Sequence, residues 1–220
     1  MIRDNSPSLE EKVFLQLEED IISGVYKSGD SLTENAISAR LGVSRTPVRS
    51  ALHRLAEEGL VDIAPNKGAV VVGVTEEDLI DTYKIRIRLE GLASRMATER
   101  MTDKDRAGLT GLVELSEFYV ERGDTEHLKE LDTAFHGIIY SATGNRMLTK
   151  ILSELHRNIR AYRKRALEVP GRLEMSVAEH REILGAILAK DAELADTLTS
   201  RHVERAMENA VKWKTENKNS

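Results

Sequence analysis

Apolar residues recur every three to four positions over most of the chain and form short β-rich runs only between residues 60 and 72. Residues 9–23 place Leu9, Val13, Phe14, Leu17, Ile21 and Ile22 on the 3.6-residue repeat of an amphipathic helix, which Gly24 closes. Thr33 and Glu34 open a second short helix to about Arg40, and Leu41-Gly42-Val43 is a tight turn into a third. In that third helix Ser44 is the cap and Pro47 lies in the first turn, where a missing N–H costs nothing. Val48, Ala51, Leu52 and Leu55 form its inward stripe, and Gly59 ends it. The runs Leu60-Val61-Asp62-Ile63-Ala64 and Ala69-Val70-Val71-Val72, on either side of Pro65-Asn66-Lys67-Gly68, predict a hairpin. Helix, helix, glycine turn, helix and hairpin together predict a winged helix-turn-helix.

From Thr75 the helical period runs to the end, broken near Thr102-Asp103, Gly123-Asp124, Gly144-Asn145, Pro170-Gly171 and Lys190-Asp191. Five breaks predict six helices, at about 76–100, 103–122, 124–142, 146–168, 172–189 and 191–215. Acids in the first turn at Glu76, Glu77 and Asp78 put the domain boundary close to 73–76. The expected fold is therefore mainly α. An N-terminal winged helix-turn-helix over 1–74 is followed by an all-α six-helix bundle over 75–220, expected to bind an effector and to form the dimer.

Composition narrows the function. Of 220 residues 40% are hydrophobic and 31% charged, with only 4 prolines, which excludes a disordered or collagen-like chain. Cysteine is absent, which removes disulfides, thiolate metal sites and cysteine nucleophiles. No apolar run is long enough to span a bilayer, and Met1 to Pro7 has no apolar segment of a secretion signal, so a cytoplasmic protein without membrane contact is expected. The net charge of −5 argues against wholesale nucleic-acid coating, but a global sum hides a local patch. The 22 residues from Asn35 to Ala56 contain Arg40, Arg45, Arg49 and Arg54 and no acid.

A helix laid in the major groove reads base edges with its N-terminal turn. Arg45 and Arg49, four residues apart on one face, are forked donors suited to that, and Ser44 and Thr46 reach phosphates or bases. Lys67 and Gly68 at the hairpin tip suit an adjacent minor groove, a lysine supplying charge and a glycine allowing close approach. A single recognition helix reads few base pairs, so a homodimer on palindromic double-stranded DNA is expected. The residues Leu41-Gly42-Val43-Ser44-Arg45-Thr46-Pro47-Val48-Arg49, Ala51-Leu52-His53-Arg54-Leu55 and Glu58-Gly59-Leu60-Val61 resemble the DNA-binding head of the GntR family of bacterial transcription regulators, over about residues 9–74. The resemblance implies a base contact from the second helix near Asn35. It departs at Ser50, where the family usually has a glutamate.

In the helical region Asp132 and His136, four apart, project from one side of one helix. His180 aligns with Val177, Leu184 and Ile187, and His202 with Leu198 and Ala206, so both face inward. Three imidazoles and a carboxylate from three helices make a set suited to Zn, Ni, Co or Mn, with positions left for a ligand; each inward histidine alone also fits a hydrogen-bonded core residue. Arg86 borders the apolar stripe of Ile85, Leu89, Leu92 and Met96. From there it either enters a cavity to clamp a carboxylate or makes a helix-surface pair with Glu90. Arg88 and the basic run His156 to Arg165 read as solvated faces.

Leu131-Asp132-Thr133-Ala134-Phe135-His136, then Gly144-Asn145 and the two later histidines, is similar to the FCD effector domain of the FadR subfamily, over about residues 77–215. The resemblance implies that Asp132, His136, His180 and His202 hold a divalent metal ion, that Arg86 meets the effector, and that six helices place the chain with the shorter, VanR-like branch. A repressor responsive to a small organic acid is the function this implies. The alternatives are a metal-dependent hydrolase using the Asp/His set and a ligand-independent dimeric DNA-binding protein. Neither a general base beside the set nor the arginine-rich stretch supports the hydrolase.

Overall fold

Helix α1 (Leu9–Ile22) begins where the Ser8 side chain accepts from the Glu11 amide at 3.1 Å and buries Val13, Phe14, Leu17 and Ile21, four of the six expected apolar positions. The computed structural model describes residues 8–64, 68–72, 75–159, 162, 166–167 and 169–217. These fall into two compact units, residues 1–75 and 76–220.

In the first unit α2 (Glu34–Leu41) ends on Gly42, whose left-handed φ of 65° only a glycine adopts cheaply, and α3 (Arg45–Glu57) follows. Ser44 occupies the cap position of α3 but its side chain makes no capping bond. The buried stripe Val48, Ala51, Leu52 and Leu55 packs with Phe14 and Leu17 of α1 in one core. Arg54 lies over the Phe14 ring, 3.8 Å from its centroid, and closes that core from outside.

Strands β2 (Val61–Ala64) and β3 (Gly68–Val71) pair antiparallel as the sequence predicts, with Asp62 opposite Val70. A third strand, β1 (Ser31–Leu32), adds to β3 and gives the order β1-β3-β2. Two residues carry no alternation to read, so the pattern gave no sign of it. β1 also fixes Gly68: at φ 83°, an added Cβ would strike the Leu32 carbonyl oxygen and sit 3.1 Å from the Thr33 Cα. The fold itself therefore demands a glycine at that point, whatever the wing touches.

The second unit has six helices among the described residues: α4 (Glu76–Arg100), α5 (Asp103–Arg122), α6 (Thr125–Ala142), α7 (Arg146–Asn158), α8 (Arg172–Leu188) and α9 (Ala192–Asn217). Most ends carry the chemistry that fixes them. Thr102 and Asp105 form a reciprocal capping box on α5, Gly123 closes it at φ 65°, and the Asn145 side chain accepts from Met147 and Leu148 at the start of α7. The expected helix over 146–168 is interrupted, because the chain leaves helical geometry at Ile159 (φ −111°, ψ 11°), while Tyr162, Ala166 and Leu167 beyond it are again helical. No glycine or proline marks that end, only the basic His156 and Arg157 of the last turn and Asn158.

Helices α4 and α9 run antiparallel in close contact. Ser94 Oγ lies 2.6 Å from Thr199 Oγ1, Ser200 donates to the Ile87 carbonyl at 3.1 Å, and a Cβ on Gly91 would collide with Asp196 and Ser200. Leu109 and Val113 of α5, Phe135 and Ile139 of α6, Leu152 of α7 and Ile183 and Ile187 of α8 fill the core beside this seam. The buried face of α4 is Leu79, Tyr83, Arg86, Glu90 and Ala93, while Ile85 and Leu92 are exposed. The expected apolar stripe through Ile85 and Leu92 is thus one step away from the real one, and Arg86 is inside it.

Replacing Gly68 by alanine forces a strained φ and a backbone clash with β1. We expect Gly68→Ala to cost roughly 1–3 kcal/mol in urea unfolding of the N-terminal unit. Wild-type stability in that variant would contradict the role given to the Leu32 contact.

Candidate functional site

Two places gather the predicted residues. On the N-terminal unit Asn35, Ser44, Arg45, Thr46 and Arg49 are all exposed along α2 and the start of α3, and Gly68 is half-buried in the sheet. Lys67 lies outside the described residues. The acid-free stretch has one acid at its edge that the linear count missed. Glu34, one residue before it, accepts from Arg49 Nε at 2.7 Å, from Arg49 Nη2 at 3.0 Å and from Arg45 Nε at 3.0 Å. The hydrogen bond from Arg49, helped by Arg45, holds the Glu34 carboxyl down at about 2. Arg49 is thus gripped by its forked edge. Arg45 is gripped only through Nε, and its paired Nη atoms make no hydrogen bond among the described residues. Ser50, where a glutamate was expected, donates to Glu10 at 2.5 Å and ties α3 to α1.

In the helical unit Asp132 and His136 on α6, His180 on α8 and His202 on α9 converge as expected. One ligand atom from each lies within 4.8 Å of all the others, and all four residues are buried. His136 Nε2 and His202 Nε2 are 3.3 Å apart, and His180 Nε2 is 3.6 Å from Asp132 Oδ1. Phe135 stacks on His180 at 3.9 Å between centroids, and Ser176 donates to Asp132 at 3.3 Å.

The groups behind these histidines carry no mark in the linear pattern. His202 Nδ1 donates to Glu179 Oε2 at 2.6 Å, and His136 Nδ1 lies 3.0 Å from Glu90 Oε2. Burial opposes the charge on Glu179, but the bonds from His202 and Arg205 and the charge of Arg172 outweigh it and hold the carboxyl at about 2. Burial likewise works against Glu90, and the Arg86 guanidinium overrides it, leaving its carboxyl well below the ordinary range. Glu179 is therefore an acceptor only, and His202 Nδ1 carries the proton toward it. The Nε2 lone pair of His202 is then left facing His136 Nε2. Desolvation holds His202 down at about 4, so it stays neutral near pH 7. Two imidazole nitrogens held 3.3 Å apart, with an acid and a third imidazole beside them, fit a cation.

Arg86 does pair with Glu90, but not on a surface: it is 1% exposed, donates Nε to Glu90 Oε1 at 2.7 Å, and sits 4.9 Å from the Tyr83 ring. The other half of the expectation also has support, because Arg86 lines a cavity of about 10 Å³ together with Asp132, His136 and His202. Arg88 is exposed, as expected. His156 is not: it is buried, and desolvation together with Arg86 pushes it well below its ordinary pKa. The rest of that basic run is mostly outside the described residues.

This is the layout of a DNA-binding regulator: a winged helix-turn-helix with arginines at the start of its third helix, and a separate helical domain. Residues 9–71 match the bacterial regulatory proteins of the gntR family and residues 81–205 match the FCD domain, so the chain belongs to the GntR family and carries an FCD domain. It is 31% identical over 184 residues to the helix-turn-helix transcriptional regulator YdhC of Bacillus subtilis, covering 82% of this chain and 81% of that one. It is 24% identical over 207 residues to the transcriptional repressor RspR of Escherichia coli, covering 94% and 91%. Among solved structures it resembles E. coli McbR/YncC, with a TM-score of 0.71, 26% identity and coverage of 94% and 98%. The protein is a DNA-binding transcription regulator and not an enzyme; the hydrolase reading has no counterpart among these relatives. No helix among the described residues is long and apolar enough to cross a membrane.

A pH dependence follows from His202. Its folded pKa of about 4 lies below the ordinary 6.5, so between these values the unfolded chain binds more protons and stability falls as pH falls. In chelator-treated protein we expect His202 alone to remove up to about 3 kcal/mol between pH 6.5 and 4. Thermal melts across that range that differ no more in wild type than in His202→Gln would contradict this.

Proposed function

We propose that the protein is a homodimeric cytoplasmic repressor that reads a palindromic operator with α3 and the wing and responds to a small organic acid held beside a divalent metal ion in the helical unit. The opposed Nε2 atoms of His136 and His202, 3.3 Å apart, carry the metal half of this reading. Asp132, His136, His180 and His202 hold the ion, with Zn, Ni, Co or Mn as the metals that such nitrogen and oxygen ligands suit. A bound divalent ion supplies positive charge and open positions for a carboxylate oxygen. Arg86 supplies the second grip, through an Nη1 with no hydrogen-bond partner among the described residues.

The cavity of about 10 Å³ admits one water- or ion-sized occupant. An organic acid is larger, so it must push back the apolar part of the wall, where Ala166, Leu167 and Ala206 stand. Entry of the acid therefore repacks helices, which is what a sensor requires of its ligand.

On the DNA side, the paired Nη atoms of Arg45 match the O6 and N7 edge of guanine. Asn35, Ser44, Thr46, Arg49, Lys67 and Gly68 complete the interface. Glu34 sits among these cations and repels phosphate. Arg45→Ala should cost roughly 1–3 kcal/mol of operator affinity and relax one position of the site. Glu34→Gln should strengthen binding to unrelated duplex and steepen its salt dependence by roughly one unit of log–log slope. Fluorescence anisotropy against salt reads both, and an unchanged slope in the glutamine variant would remove Glu34 from the interface.

For the metal, protein purified without an affinity tag should contain about one divalent ion per chain, and His180→Ala much less, because each lost imidazole lowers affinity steeply. Equal metal content in the two proteins would sink this assignment.

A further inference from the structure

The cavity has a second cationic corner that the ligand set does not use. Arg172, at the start of α8, is 2% exposed and lines the same cavity as Arg86. Each of the two guanidiniums holds an acid. Arg86 leans on Glu90, and Arg172 donates Nη1 to Glu179 Oε2 at 3.0 Å. Each then leaves a buried nitrogen with no hydrogen-bond partner among the described residues, Nη1 of Arg86 and Nη2 of Arg172. A buried cationic donor without an acceptor is among the costlier features of a protein interior, and two of them on one cavity point to an acceptor from outside the chain.

The charge count agrees. Among the described residues, three arginines, Arg86, Arg172 and the partly exposed Arg205, stand around the cavity with three acids, Glu90, Asp132 and Glu179. These balance. A divalent ion on the imidazole cluster leaves an excess of two positive charges in a site of low dielectric, where charge goes uncompensated only at high cost. A monocarboxylate cancels half of that excess and satisfies one arginine.

We propose that the effector is a compact dianion, a short dicarboxylic acid. One of its carboxylates binds beside the metal cluster and Arg86, and the other accepts from Nη2 of Arg172. This rests on the metal-and-acid reading above and adds the number of anionic groups and the residue that counts them. Arg172 is the specificity residue: it reaches the ligand with one nitrogen while its other nitrogen holds Glu179, and through Glu179 the ring of His202.

The test uses the full chain loaded with zinc and three matched pairs of acids: malonate with propionate, succinate with butyrate and glutarate with valerate. Calorimetric titration should show at least one diacid binding tenfold or more tighter than its partner. In Arg172→Met that ratio should fall to threefold or less. Because Arg172 also supports Glu179, zinc per chain is measured in every variant. If the methionine variant loses zinc, Arg172→Lys, which keeps the charge but not the fork, should lower the ratio at least threefold at full zinc content. No diacid preference in wild type, or a preference that survives these variants, overturns this inference and leaves the metal-and-acid reading standing. Failure of wild type to hold zinc, or to bind any acid of either kind, overturns both.

Discussion

Two buried carboxylates, each bound to the back of an imidazole, are the constraint on which the helical unit turns. Glu90 stands behind His136 and Glu179 behind His202, and each contact joins two helices: α4 to α6 and α8 to α9. Ionised acids this far from water are tolerated only beside a compensating charge, which accounts for Arg86 on Glu90 and for Arg172 and Arg205 on Glu179. The Glu179 contact puts the proton of His202 on Nδ1 and so aims its Nε2 lone pair inward. A core of apolar side chains of equal volume would fold at least as stably. It would not gather imidazole nitrogens at one point.

The N-terminal unit uses a related device in water. Glu34 organises two arginines, but it does so at the surface, where both partners remain more than half exposed (61% and 59%) and salt screens the pair. There the carboxylate adds little stability. Its effect is orientation: Arg49 is occupied along its fork, and the paired Nη atoms of Arg45 make no hydrogen bond among the described residues. Buried, a carboxylate and its cation are a structural commitment; exposed, they are an exchangeable arrangement that a phosphate or a base edge displaces.

What the sequence showed of this follows from the range over which each feature acts. Amphipathic periods and caps are local, so α1, α5 and α6 emerge nearly to the residue, and the i, i+4 spacing of Asp132 and His136 with the inward stripes of His180 and His202 singles out four side chains that converge in the fold. The end of α7 at Asn158 has no glycine or proline to mark it, and β1 exists only through its pairing with β3. Glu90 and Glu179 are the informative misses. In a linear reading an acid on a charged helix belongs to the solvent face, and nothing near Glu179 reports that Arg172, His202 and Arg205 close over it from two helices. Glu34 was hidden likewise, its partners lying 11 and 15 residues away. Arg172, just after Gly171, reads as an ordinary first residue of a helix.

The placement of these groups also says how a small ligand is coupled to a larger change. Arg86 and Glu90 belong to α4, which follows the wing in sequence, and α4 is locked to α9 by Gly91 and the Ser94–Thr199 contact. His202 and Arg205 belong to α9, whereas Arg172, Glu179 and His180 belong to α8. A ligand that touches Arg86 and the α8 side at once is sensitive to the position of α8 against the α4–α9 pair, and it favours whichever position brings both within hydrogen-bond reach. Only that difference in affinity shifts the equilibrium. A tenfold change in the affinity for DNA needs about 1.4 kcal/mol of coupling. One hydrogen bond to a buried charged group, made in one arrangement and absent in the other, contributes about 1.5–3 kcal/mol. A displacement of α8 large enough to break a single guanidinium contact is therefore sufficient, and no rearrangement of the core packed around Phe135 and Ile183 is required.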